Sequence, residues 1–393
     1  MFSTSTVALI KATVPLLRER GEDITRHFYA SMLAEHPELK AFFNEAHQAH
    51  GTQARALAGA VLAYATHIDQ LDAIAPALPR IIQKHAALGV LPEHYPIVGQ
   101  CLLRAIRTVL GEVATDAVLD AWAQAYGALA QLLIDAEEQV YAANAAASGG
   151  WRGERRLRLI RKEAESDIIT SFYFASADGS PLMDYQPGQY LTLVLHIDGR
   201  DVRRNYSLSD APGRGWYRIS VKREVGGRVS NWLHDHLAVG DDVRALPPCG
   251  DFLLDVESPR PLVLVTAGVG VTPAMSMLEA VAASGRPVHF IHAAQHSGVH
   301  AFRSRVDALA QAHPNVQPTY LYDQPRPECA PHRVGRLSTE LLAELLPQDR
   351  NVDLYFLGPK PFMQQVLASA RALEIPAGQV RYEFFGPLED LAA

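Results

Sequence analysis

Residues 187–210 read PGQYLTLVLHIDGRDVRRNYSLSD, and the fold class of the chain is read outward from this stretch. The run QYLTLVLHI at 189–197 has the short alternating pattern of a strand, with Gly, Pro and Asp breaking it at its ends. Arg204, Tyr206 and Ser207 then stand together in RNYSLSD at 204–210. A flavin needs a cation for its pyrophosphate, an aromatic ring to stack on and polar groups near its reactive ring nitrogens. These three side chains supply one of each, although an ordinary strand of the same composition reads no differently by itself.

Toward both ends of this stretch the short-strand pattern continues, in ITSFYF at 169–174 and YRISVKR at 217–223. The span from Trp151 to about Arg260 is therefore expected to form a small antiparallel barrel or sandwich. From Pro261 the rhythm changes. PLVLVTA leads into the turn AGVGVTP at 267–273, then a helix through Met277 and Leu278, then the strand PVHFIHAA. That is a strand–turn–helix–strand unit of a doubly wound parallel α/β sheet. The turn is not the G-x-G-x-x-G fingerprint. Its glycines would let a backbone approach a pyrophosphate at a helix N-terminus, and a tight turn with no ligand is the competing reading. Before residue 148 the chain is rich in Ala and Leu at helical spacing, as in Val118 to Tyr141 with Trp122, Tyr126, Leu129 and Leu133 on one stripe. AASGGW at 146–151 reads as a linker ending in an aromatic anchor. Three domains are expected: all-α over 1–147, an antiparallel β-barrel over 151–260 and α/β over 261–393.

The length of 393 residues suits two or three domains. Hydrophobic residues at 48% and charged residues at 20% allow ordinary buried cores. A net charge of −7 argues against a general nucleic-acid binder, which needs excess Lys and Arg. Cys101, Cys249 and Cys329 are too few and too scattered for a disulfide framework, which points to a reducing, cytoplasmic compartment. No secretory pattern opens the chain. Its longest purely apolar stretch, about ten residues, falls short of the ~20 that span a bilayer, so no transmembrane segment is expected.

Within the helical part, His85 in RIIQKHAALGV follows Ile81 and Ile82 by four and three residues, with Gly89 as a helix stop. Spacing alone favours a core histidine over a metal ligand. Glu137 falls on the stripe of Tyr126, Leu129 and Leu133, where a carboxylate is costly unless it is paired or reaches solvent at the helix edge. Tyr95, ten residues past His85, could return toward it. Gln53 and Leu57 share a helical face, as do Phe28 and Met32, and HPELKAFF at 36–43 turns a corner with two aromatics.

The stretch up to about residue 145 resembles the globin domain of flavohaemoglobins through Tyr29, Pro37, Phe43, Gln53, Leu57, KHAALGV, EHYPIVG and EEQVY. The resemblance implies that His85 is the proximal ligand to the iron of haem b. It places Tyr29, Gln53 and Leu57 in the distal pocket and Phe43 on the porphyrin. Tyr95 and Glu137 would form a relay behind His85, with Lys84 a neighbour that influences the haem. A carboxylate behind a ligating imidazole raises its basicity. Downstream, PGQY with Tyr190, RNYS with Arg204, Asn205, Tyr206 and Ser207, and KREVGGRVSNWLHD with Val229 and Ser230 resemble the FAD-binding motifs of the ferredoxin–NADP reductase superfamily. In that family Gly268, Val269, Gly270, Val271, Thr272 and Pro273 form the phosphate loop for NADH or NADPH. YFLGPKPFM at 355–363 departs from the usual pattern, Leu357 standing where a cysteine is normal near the nicotinamide. YEFFGP at 382–387 implies that Phe384, Phe385, Gly386 and Pro387 cover the flavin.

The resemblance implies an electron relay from NAD(P)H through FAD to haem, where O2 and nitric oxide become nitrate. The chain is then a monomeric nitric oxide dioxygenase with NAD(P)H, O2 and NO as its small-molecule partners. Two other readings compete: a flavin-driven reductase or peroxidase with a lipid or peroxide in the apolar pocket around Leu57, and an O2 or NO sensor. The flavin and nicotinamide motifs argue against the sensor.

Overall fold

The structure, a computed structural model, describes residues 2–43 and 51–386. Two compact units are present, the first built mainly on residues up to Ala147 and the second mainly from Ser148 onward. In the first unit, helix α1 (Thr4–Glu35) is capped by Ser3, whose Oγ accepts from the Thr6 amide. Pro15 lies inside α1 without ending it. α1 presents Ile10, Leu17, Ile24, Phe28 and Met32 to the core at seven- and four-residue spacing. It packs on α2 (Thr52–Thr66) and on α4 (His94–Leu110). α3 (Leu78–Leu88) stops where Gly89 adopts a left-handed φ of 72°. α5 (Asp116–Ala146) runs unbroken through the expected Trp122–Leu133 stripe.

By length and composition α5 is apolar enough to cross a membrane. It is nevertheless laid down as a core helix. Its stripe of Val118, Trp122, Ala125, Leu133 and Glu137 is buried, while Asp120, Gln124, Gln131, Asp135 and Glu138 on the other side are exposed.

After residue 147, β1 (Arg155–Ala164), β2 (Ile169–Ser176), β3 (Tyr190–Ile197), β4 (Arg200–Ser207), β5 (Tyr217–Lys222) and β6 (Asp242–Cys249) form one sheet in the order β4-β3-β6-β1-β2-β5. A bridge between Leu208 and Ile219 joins its two ends, so the barrel expectation holds over the sandwich. Helix α6 (Arg228–Asp235) lies between β5 and β6 in the chain.

The α/β part contains β7 (Leu262–Ala267), α7 (Val271–Val281), β8 (Val288–Ala294), α8 (Arg303–Ala312), β9 (Val316–Tyr322), β10 (Arg333–Val334), α9 (Thr339–Leu345), β11 (Asp353–Leu357), α10 (Lys360–Ala372) and β12 (Val380–Tyr382). All its strand pairs are parallel, in the order β10-β9-β8-β7-β11-β12. Leu262 and Leu264 face the cluster with α7 and α8, and Val263 and Val265 face that with α9 and α10. This two-sided burial explains why PLVLVTA reads as a continuous apolar run. The strand order reverses between β7 and β11, and ligands bind beyond the carboxyl ends of such strands.

The barrel and the α/β part share a core, since Ile169, Phe252 and Leu254 pack in one cluster with Val271, Met275 and Phe302. Arg218 on β5 is fully buried with Asp210 and Glu279, and Arg305 bonds to both carboxylates. Burial raises the Glu279 pKa, while bonds and charges, chiefly from Glu279 and Arg218, hold that of Asp210 low against burial.

Candidate functional site

His85 sits one turn before the end of α3, where Gly89 turns the chain back toward α4. Its Nδ1 lies 2.7 Å from Oε1 of Glu137 on α5 and 3.2 Å from the Tyr95 hydroxyl on α4. The Tyr95 hydroxyl donates to the same Glu137 oxygen at 2.6 Å. Burial, and then the bond to Glu137, pushes the Tyr95 pKa well above the usual phenol range, so the phenol stays a donor. Glu137 is buried, its side chain only 3% exposed, so the alternative of a carboxylate reaching solvent at the helix edge does not hold. Three helices thus bring together the three residues expected to form a relay.

Two further tyrosines fix this group. Tyr126 donates to the Tyr95 carbonyl at 2.7 Å and Tyr141 to the Val90 carbonyl at 2.6 Å. The first bond depends on Gly99, since a Cβ there would stand 2.5 Å from Tyr126 Cε1. In the sequence Tyr126 stands only as part of an apolar stripe. Its hydroxyl's partner is a backbone carbonyl, which leaves no residue-type signal.

The His85 side chain is 34% exposed, and among the described residues its Nε2 makes no hydrogen bond. An imidazole with one nitrogen hydrogen-bonded to a carboxylate and the other open beside Ile81 and Ile82 has the donor chemistry of an iron ligand. The apolar interior also divides in two. Tyr95, Ala130 and Leu133 form one cluster and Tyr29, Phe28, Met32 and Leu39 another, with Tyr126 and Leu129 touching both. In the second cluster, Tyr29 is buried and its ring meets Phe43 edge-on at 5.5 Å. Burial raises the Tyr29 hydroxyl pKa above its ordinary value. Leu57 packs against the same cluster, and Gln53 precedes it by one turn on α2. Lys84 adjoins His85 on α3.

In the second unit, Tyr190 opens β3 and is buried, its ring over Gly250, where a Cβ would meet Cε1 at 3.1 Å. Gly188 has φ +106°, and a Cβ there would collide with the Phe252 carbonyl, which explains the glycine in PGQY. Arg204 and Tyr206 are half-buried and share a face of β4, whereas Ser207 takes the alternate position and is buried. Asn205 is exposed and accepts from Thr192 Oγ1 at 3.0 Å. Val229 and Ser230 occupy the first turn of α6, Ser230 Oγ accepting from the Glu224 amide.

Gly268, Val269 and Gly270 form the turn between β7 and α7, and Val271, Thr272 and Pro273 begin the helix. A Cβ on Gly268, whose φ is +54°, would enter open space; one on Gly270 would stand 2.6 Å from the Leu357 carbonyl oxygen. The turn therefore leaves room above Gly268 and rests on the end of β11, where Thr266 pairs with Leu357. AGVGVTP and LGP, far apart in sequence, meet at the point where the strand order reverses. Leu357 itself packs into the core with Val271 and Ala274. Phe384 is half-buried near Tyr382, Phe385 is half exposed, and Gly386 follows. Pro387 lies outside the described residues.

Family models match three segments: Globin over residues 26–133, Oxidoreductase FAD-binding domain over 156–253 and Oxidoreductase NAD-binding domain over 264–367. The chain is 57% identical to a flavohemoprotein of Pseudomonas aeruginosa over the whole of both chains. It is 55% identical to one of Pseudomonas putida, over 98% of this chain and 99% of that one. Among solved structures, flavohemoglobin from Malassezia yamatoensis, which has bound FAD and heme, matches with a TM-score of 0.85 and 29% identity. That match covers 98% of this chain and 99% of that one. The FAD/NAD-binding domain of nitric oxide dioxygenase from Vibrio cholerae matches at 0.55 and 37% identity, over 59% of this chain and 99% of that one. With family models matching all three parts and relatives 57% and 55% identical over essentially the whole length of both chains, the chain belongs to the flavohemoprotein family.

Proposed function

We propose that the chain is a nitric oxide dioxygenase that consumes two NO and two O2 per NAD(P)H and releases two nitrate ions, NAD(P)+ and one proton. The single observation that carries this reading is the His85–Glu137–Tyr95 group, a buried carboxylate behind an open imidazole, in one chain with the flavin and dinucleotide motifs. When bound, NAD(P)H supplies a hydride, FAD divides that electron pair into single electrons, and haem b supplies the iron at which O2 and NO react.

His85 would hold the iron through Nε2. Glu137 would accept a hydrogen bond from the Nδ1–H, which fixes the tautomer that leaves Nε2 its lone pair and makes the imidazole a stronger donor. Tyr95 shares the carboxylate charge and locks its rotamer. Tyr29, kept protonated by burial, would donate a hydrogen bond to a small bound molecule, while Gln53, Leu57 and Phe43 would exclude water and help to hold the haem. Lys84 would adjust the electrostatics beside His85.

In the reductase, Arg204 with Val229 and Ser230 would take the flavin phosphates. Tyr190, Asn205, Tyr206 and Ser207 would hold and orient its ring system, and Phe384, Phe385, Gly386 and Pro387 would cover it. The turn Gly268–Val269–Gly270 and the helix start Val271–Thr272–Pro273 would receive the dinucleotide phosphates. The domain limits we assign are 1–147, 151–260 and 261–393, and we place the enzyme in the cytoplasm as a monomer.

The test is NO consumption by the haem- and FAD-loaded protein in aerated buffer with NADH, with nitrate quantified. Stoichiometric nitrate, lost without NADH or on substituting His85, is expected. NADH oxidation without nitrate would leave a flavin reductase and direct attention to peroxide and lipid substrates in the Leu57 pocket.

A further inference from the structure

Away from the haem and flavin residues, the carboxylate of Glu35, the imidazole of His36 and the thiol of Cys101 lie with their ligand atoms within 4.8 Å of one another. We propose that these three side chains form a site for a borderline divalent cation, Zn2+ being the best match, which Arg104 holds shut in the metal-free chain.

Glu35 is the last residue of α1 and His36 its C-cap, so the site sits at a helix end whose carbonyls favour positive charge. Cys101 comes from α4, which packs on α1, so two rigid elements bring the donors together. Tetrahedral zinc, with bonds of about 2.0–2.3 Å, needs its ligands roughly 3.5 Å apart, so a small contraction closes the site. One sulfur, one nitrogen and one carboxylate oxygen suit zinc and disfavour Mg2+ or Ca2+, which take oxygen ligands. A water would complete the shell. His36 Nδ1 also lies 3.3 Å from the exposed Glu38 carboxylate, a second negative group beside the site.

Arg104 stands on two of the three donors, with Nη2 at 2.5 Å from Glu35 Oε2 and 3.2 Å from Cys101 Sγ. Its guanidinium cannot shed its charge and must leave before a cation enters. Leaving costs little, because Arg104 and Glu35 are both about half exposed, and water screens such surface pairs. Binding exchanges the Cys101 thiol proton for the metal and releases that proton to water.

Tag-free holoprotein with reduced thiols would be titrated with Zn2+ in a calorimeter, and the bound metal examined by X-ray absorption. One equivalent is expected, with one sulfur at about 2.3 Å. Cys101→Ser and the half-exposed His36→Gln should each weaken binding by about tenfold or more, and Arg104→Ala should tighten it by about tenfold. His36→Gln keeps the test decisive if the buried Cys101 variant misfolds, as its visible spectrum and circular dichroism would show. Stoichiometric binding that survives His36→Gln, or a metal without sulfur, would overturn the site. Unchanged or weaker binding in Arg104→Ala would overturn the closing role of Arg104.

Discussion

Replacing Glu137 by Gln probes the relay behind His85 at its most expensive atom. Oε1 accepts from Tyr95 at 2.6 Å and from His85 Nδ1 at 2.7 Å in a buried position. Hydrogen bonds to a charged group contribute about 1.5–3 kcal/mol, and a buried donor left unpaired costs about 1–3 kcal/mol. Glutamine keeps an acceptor oxygen in place, loses the charge and introduces an amide NH2. A net loss of about 2 kcal/mol is expected, which for a unit of this size lowers its melting temperature by about 4–8 °C. The imidazole also loses donor strength, so nitrate production should fall by about 10–100-fold. Circular-dichroism melts and the nitrate assay read the two effects separately. A double-mutant cycle with Tyr95→Phe should give a coupling of at least about 0.5 kcal/mol. A variant with wild-type melting and turnover, or a cycle with no coupling, would refute the shared-carboxylate account.

Gly99→Ala places a Cβ 2.5 Å from the Tyr126 ring and should destabilise the all-α unit by about 1–3 kcal/mol, whereas Tyr126→Phe, which removes only one hydrogen bond, should cost about 1 kcal/mol in urea unfolding. Gly270→Ala should raise the NADH dissociation constant and lower stability because its Cβ meets the Leu357 carbonyl. Gly268→Ala meets only its left-handed φ and should lose about 1–2 kcal/mol of stability by denaturant titration. Finally, the His292 and His300 rings lie 4.5 Å apart at a tilt of 31°, both buried, with Nδ1 bonded to Thr266 and Tyr322 respectively and, among the described residues, each Nε2 without a partner. Burial lowers their pKa values from 6.5 to about 3 and about 2. Well above pH 6.5 both rings are neutral in folded and unfolded chains alike, so stability is full. As pH falls below that, only the unfolded chain takes up protons, and stability should fall toward about 1.4 kcal/mol per pH unit per ring. Urea midpoints of the second unit between pH 6.5 and 5 should show this fall, and His292→Gln should weaken it; a flat profile would contradict it.

Much of the architecture was legible because period and punctuation are local properties. Gly89 ends α3 where the sequence places its stop, and PLVLVTA is a strand buried on both faces. Glu137 was legible as a problem, a carboxylate on an apolar stripe, but its partners come from α3 and α4. The apolar spacing of α5 marks a helix with one buried stripe, yet the same composition would also suit a membrane-spanning helix. Only its packing, with Glu137 buried and Asp135 exposed, makes it a core helix. Leu357 shows the reverse limit. Its place in the motif pointed to the nicotinamide, while its side chain lies in the core beneath the turn.

By itself, then, the sequence determined the three kinds of secondary structure, their order and the motif residues, because helix and strand periodicity, caps and turns depend on neighbours within a few positions. Tertiary structure alone decided that Tyr126 and Gly99 support Tyr95, that AGVGVTP rests on LGP, and that Arg104 lies across Glu35 and Cys101. Most of those contacts join residues from different helices and strands, and two end on backbone carbonyls. Their existence depends on how whole elements pack, which no local pattern encodes.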